Sequence, residues 1–110
     1  MAHDTFLADR VRAALGPLPG LVEKKMFGGV GFMLGGNLAC GVHKGDLIVR
    51  VGSKNYAQAL ARPYARQFDI TGRPMDGWVM VGPQGCQSED ELKAWVRQGV
   101  ATARALPPKG

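Results

Sequence analysis

Residues 30–51 read Val-Gly-Phe-Met-Leu-Gly-Gly-Asn-Leu-Ala-Cys-Gly-Val-His-Lys-Gly-Asp-Leu-Ile-Val-Arg-Val, and this stretch decides the fold. Three apolar runs, 30–34, 38–43 and 47–51, are separated by Gly35-Gly36-Asn37 and Lys44-Gly45-Asp46, both hairpin turns by composition. The three runs therefore form an antiparallel meander. Alternation puts Leu38, Cys40 and Val42 on one face, with Leu47, Val49 and Val51 joining them on the buried side. His43 and Arg50 then belong to the other face.

Upstream, Leu7, Val11, Ala14 and Leu15 recur at helical spacing, which predicts a helix from Thr5 to Leu15. Asp4 or Thr5 can cap its start, and Gly16-Pro17 ends it. Downstream, Ser53 can cap a short second helix with Tyr56, Leu60 and Tyr64 on its apolar stripe and Lys54, Gln58 and Arg62 opposite; Pro63 stops it. Two further strands are expected near 67–71 and 78–81. The last helix is announced by a capping box of Ser88 and Glu91, acids at 89–91, and Leu92, Trp95, Val96, Gly99, Val100 and Ala103 on one face. Arg97 and Arg104 complement its other end. The predicted order is α-β-β-β-α-β-β-α, an α+β domain with helices packed on an antiparallel sheet.

Composition agrees with one folded domain over 1–110. The chain has 110 residues, 45% hydrophobic and 21% charged, which sets it apart from disordered and collagen-like chains. Thirteen of its 16 glycines lie between Gly20 and Gly85, where tight turns of a sheet need them. A domain of this size buries about 60–65% of its unfolded surface, enough for one core and not for a large cofactor as well. Acids and arginines interrupt the first helix, so it is no signal peptide, and no apolar run reaches the ~20 residues of a membrane span. A cytoplasmic location is expected.

Catalytic patterns are sparse. Lys24-Lys25-Met26-Phe27-Gly28-Gly29-Val30-Gly31 has the glycines of a phosphate loop, but its lysines precede them and no strand leads into them; it reads as a structural turn before the first strand. Cys40 reads as a core residue. Cys86, in the loop before the last helix, is expected to be the more exposed thiol, with a pKa lowered by the helix N-terminus. Cys40 and His43 point to opposite faces of a strand, so no metal site is expected, and neither histidine stands beside an evident nucleophile. No cofactor is predicted. The remaining signal is charge: a net +5, with Arg50, Lys54, Arg62 and Arg66 in a segment from Asp46 to Asp69 that holds no other acid. These four are candidate phosphate contacts for weak, non-specific nucleic-acid binding, set against a plainly solvated basic face.

Lys24-Lys25-Met26-Phe27-Gly28-Gly29, Gly36-Asn37, Leu47 to Gly52, Thr71-Gly72-Arg73-Pro74-Met75 and the Trp95-Val96 helix ending in Leu106-Pro107-Pro108-Lys109 together resemble the TfoX N-terminal domain family. The resemblance covers nearly the whole chain. It implies an α-β3-α-β2-α domain related to secretion-chaperone-like folds and offers no catalytic residues to carry over. Full-length members regulate competence genes together with a cyclic-AMP receptor protein and carry a second, helical domain; this chain is expected to be a stand-alone N-terminal domain. The expected function is a non-enzymatic protein-interaction module accessory to transcription. Direct nucleic-acid binding is the alternative, and a small enzyme or ligand carrier built around Cys86 or the Met26 to Gly29 turn ranks last. Pairing into a homodimer is also expected, since an open sheet leaves edges to cover.

Overall fold

A computed structural model of the chain describes residues 4–26, 28–69 and 72–107. Helix α1 spans Thr5–Leu15; Asp4 Oδ1 accepts the Leu7 amide at 3.1 Å, and the N–H of Gly16 closes onto the Arg12 carbonyl. The next element is missing from the sequence reading. Strand β1, Leu21–Met26, pairs antiparallel along its whole length with β2, Gly29–Leu34. Its four middle residues are exposed, so Val-Glu-Lys-Lys carries no apolar alternation, and the pairing with β2 makes the strand. The predicted order thus gains one strand and becomes α-β-β-β-β-α-β-β-α, within the α+β class expected.

The meander forms as read: β2 turns into β3, Asn37–His43, and β3 into β4, Asp46–Arg50. Gly35 and Gly36 have φ of 59° and 81°, the backbone that a two-residue hairpin with the twist of the sheet requires. One side chain is displaced from its expected face. The register shifts between Phe32 and Met33, so Leu38 leaves the side of Cys40 and Val42 and packs with Met26 over Gly31, where a Cβ would collide with both.

After a 3-10 turn at Ser53–Asn55 comes α2, Tyr56–Leu60. Ser53 does not cap it; its hydroxyl donates to the Asp76 carboxylate instead. Strand β5 is Ala65–Gln67, earlier than expected, because Tyr64 takes a φ of 65° and its carbonyl accepts the Gly82 amide, which brings the chain straight onto the sheet. Phe68 and Asp69 leave the pairing, and the rest of the expected strand, Ile70 and Thr71, lies outside the described residues. Strand β6, Trp78–Val81, runs between β4 and β5 and completes the order β1-β2-β3-β4-β6-β5, antiparallel throughout. A 3-10 turn at Pro83–Cys86 leads into α3, Glu89–Arg104, where Ser88 Oγ accepts the Glu91 amide and donates to its carboxylate.

All three helices lie on one face. Val11, Phe32, Cys40, Val42, Leu47, Val49, Val79, Val81, Leu92 and Trp95 form the core between them and the sheet. On the opposite face Ile48 and Met80 are buried beneath Phe68, whose ring centre stands 6.0 Å from that of Trp78.

Candidate interaction surface

The four basic residues of the acid-poor segment do not converge. Arg50 leaves β4 on the face away from the helices, its guanidinium 4.9 Å from the centre of the Trp78 ring, and lines a cleft of about 180 Å³ with Ser53, Asp76 and Thr102. Arg66, opposite Met80, shares that face and holds Asp46 at 2.5 Å. Lys54 is exposed in the 3-10 turn. Arg62 lies on the other side of the sheet and does not point to solvent as its place on α2 suggested; it stacks on α3, 3.5 Å from the centre of the Trp95 ring, and donates to Gln98 Oε1 at 3.2 Å. Burial there pulls its guanidinium below the ordinary arginine pKa, partly offset by the field of Glu91.

The family turn divides between two elements. Lys24 and Lys25 are exposed on the edge strand β1, Met26 is half-buried at its end, and Gly28, at φ 72°, turns the chain. Gly29 packs so closely against the Val42 carbonyl that a Cβ would collide with it. Phe27 lies outside the described residues.

Both thiols are buried. Cys40 is fully enclosed, and burial pushes its pKa up to about 12. Cys86 corrects the sequence expectation of an exposed, acidified thiol: it is 1% exposed, closes the 3-10 turn with Sγ 3.7 Å from the Gly82 carbonyl, and burial raises its pKa against the opposing field of Arg10. The helix N-terminus that was to activate it belongs to Ser88, two residues further on. Among the described residues no three His, Cys, Asp or Glu side chains stand close enough to share a metal ion.

One surface feature has no counterpart in the sequence reading. Where the end of α1 and the following turn meet α3, an open groove of about 310 Å³ runs between the helices. Its walls are Ala14, Leu15 and Leu18 on one side and Val96, Val100 and Ala101 on the other. The polar side chains that line it are Arg97 and Arg104, exposed and seven residues apart on α3, which is about 10 Å along the helix. Five of the six other arginines are engaged: Arg10 with Glu89, Arg12 with Asp9 and Glu23, Arg66 with Asp46, and Arg50 and Arg62 with rings. Neither Arg97 nor Arg104 has an acidic partner among the described residues. Their spacing was visible in the sequence, but complementing the helix C-terminus accounted for them there.

No helix of the described residues is long and apolar enough to cross a bilayer. A protein-family model, the TfoX N-terminal domain, matches residues 13–103. No curated protein and no solved structure matches the chain.

Proposed function

Because the chain belongs to the TfoX N-terminal domain family, we propose that it is a non-enzymatic protein-interaction module, accessory to transcriptional regulation and acting in the cytoplasm. The observation that carries this reading is the apolar groove between α1 and α3 with its two unengaged arginines. Burial of both thiols supports the non-enzymatic part of the reading, because a thiol raised in pKa and shielded from solvent is a poor nucleophile. The transcriptional part rests on what the family resemblance implies.

Affinity capture from the native cell, combined with transcript profiles of a deletion strain, tests the reading. The expected result is a stoichiometric protein partner that itself occupies DNA or polymerase, with a defined set of transcripts altered. Gel shift of the purified chain on random duplex serves as the opposing arm. A shift that persists at 200 mM salt, with no protein partner captured, would replace this reading by direct nucleic-acid binding.

A further inference from the structure

We infer that the groove between α1 and α3 receives an acidic amphipathic helix of a partner protein, its apolar side chains seated along Leu18 and Val100 and its carboxylates on Arg97 and Arg104. The inference rests on the proposed role as an interaction module and names the chemistry of the partner. Three properties of the groove select this occupant.

Its size and openness come first. At about 310 Å³ and open along its length, it sits at the bottom of the range of about 300–1,000 Å³ in which small molecules are enclosed. It also lacks the inward polar groups that orient such ligands, since its polar lining is confined to the two arginines at the rim. One wall is α3 and the other is the last two residues of α1 with Leu18 of the following turn, and a helix laid along α3 presents side chains at positions i, i+3, i+4 and i+7, the standard way an apolar groove is filled.

Charge comes second. Arg97 and Arg104 are separated by seven residues, two turns of a helix, so a partner helix lying along α3 meets both with acids that are themselves seven apart. The groove holds no acidic side chain of its own to oppose them. Guanidinium groups that lack a carboxylate partner in the folded domain have their donors available for a bidentate pair with an incoming one.

Shape comes third. A phosphate backbone would meet the two arginines but leave the apolar floor unfilled, and a flat bilayer surface cannot enter the concavity.

The test is a selection from a display library of randomised 16-residue helical peptides on the intact chain, followed by affinity measurement on the wild type, Arg97→Glu/Arg104→Glu and Arg97→Lys/Arg104→Lys. Both arginines are on the surface, and far-UV circular dichroism checks that each variant is folded. Enrichment of amphipathic peptides with acids seven apart is expected, with affinity at least tenfold weaker for the glutamate variant and intermediate for the lysine variant, which keeps the charge but not the bidentate fork. Enriched peptides without acids, a library that enriches nothing, or equal binding to the glutamate variant would overturn the inference. So would a dimer, seen by sedimentation, that the glutamate substitutions dissociate, because the occupant would then be a second copy. If the captured cellular partner is retained by the glutamate variant, the groove is the wrong surface and the module reading stands. If acidic peptides bind the groove but no transcriptional partner is captured, the groove stands and the transcriptional reading fails.

Discussion

The guanidinium carbon of Arg62 lies 3.5 Å from the centre of the Trp95 ring, so a cation two residues beyond α2 covers the largest fully buried side chain of the core. A half-buried cation–π contact contributes about 1 kcal/mol, and the hydrogen bond to Gln98 adds to it. Arg62→Ala is therefore expected to lower unfolding free energy by about 2 kcal/mol in urea titrations. An unchanged midpoint would mean that Arg62 is a surface residue after all and available to a phosphate.

Gly99→Ala should destabilise the domain although alanine favours a helix by about 1 kcal/mol over glycine. A Cβ at this position on α3 collides with the Ala39 carbonyl, and backbone cannot swing aside as a flexible side chain can. Overpacking of this kind costs about 1–3 kcal/mol, and thermal unfolding followed by circular dichroism reads the sign directly.

Asn37 is a buried polar residue at the start of β3, and its amide donates to the Pro107 carbonyl at 3.0 Å, tying the chain beyond α3 to the first hairpin of the meander. Asn37→Ala removes that tie. A loss of about 1–2 kcal/mol is expected, accompanied by faster amide exchange in the segment after α3. Exchange confined to other regions would refute the anchoring role.

Stability should fall in alkali. In the folded state Cys40 keeps its proton up to about pH 12, whereas its ordinary value is 9.0, so between these limits the unfolded chain has released a proton that the folded one retains. The contribution is complete below pH 9 and declines by about 1.4 kcal/mol per pH unit above it. Cys86, also raised, acts in the same direction. Cys40→Ala should flatten the part of the profile that belongs to this thiol, as measured by denaturant titration at pH 8 to 11. Both thiols should react with iodoacetamide far more slowly than free cysteine.

Arg12 joins α1 to the edge strand β1 through a bidentate grip on Glu23, at 2.7 and 2.8 Å. Hydrogen bonding by Arg12 lowers the Glu23 pKa below its ordinary 4.5, so the pair stabilises the fold above that pH and is lost as pH falls through the lowered value. Both side chains are well exposed, which limits the effect to about 0.5–1 kcal/mol. Glu23→Gln should remove this increment at pH 7 and leave stability at pH 2 nearly unchanged, a comparison that guanidinium titration makes at the two pH values.

What the sequence by itself determined is what local chemistry writes down. The ends of α1 and α3 follow from Asp4, Gly16 and the Ser88–Glu91 pair, and the meander follows from apolar runs broken by turn residues. Cap hydrogen bonds, turn backbone and side-chain periodicity all act within a few residues of chain, so their pattern survives in one dimension. Only the tertiary structure decided the rest. β1 is a strand because β2 supplies its backbone partners, not because Val-Glu-Lys-Lys prefers extension. Leu38 changed faces through a register shift against a neighbouring strand, and Cys86 was buried by packing that no local signal records. The basic segment shows the same limit. Adjacency in sequence grouped Arg50, Lys54, Arg62 and Arg66, but the fold pairs two of them with rings and one with Asp46, and leaves Arg97 and Arg104 beside an apolar groove instead. Which charges are engaged depends on contacts made across the fold, and those exist only once the helices have settled on the sheet.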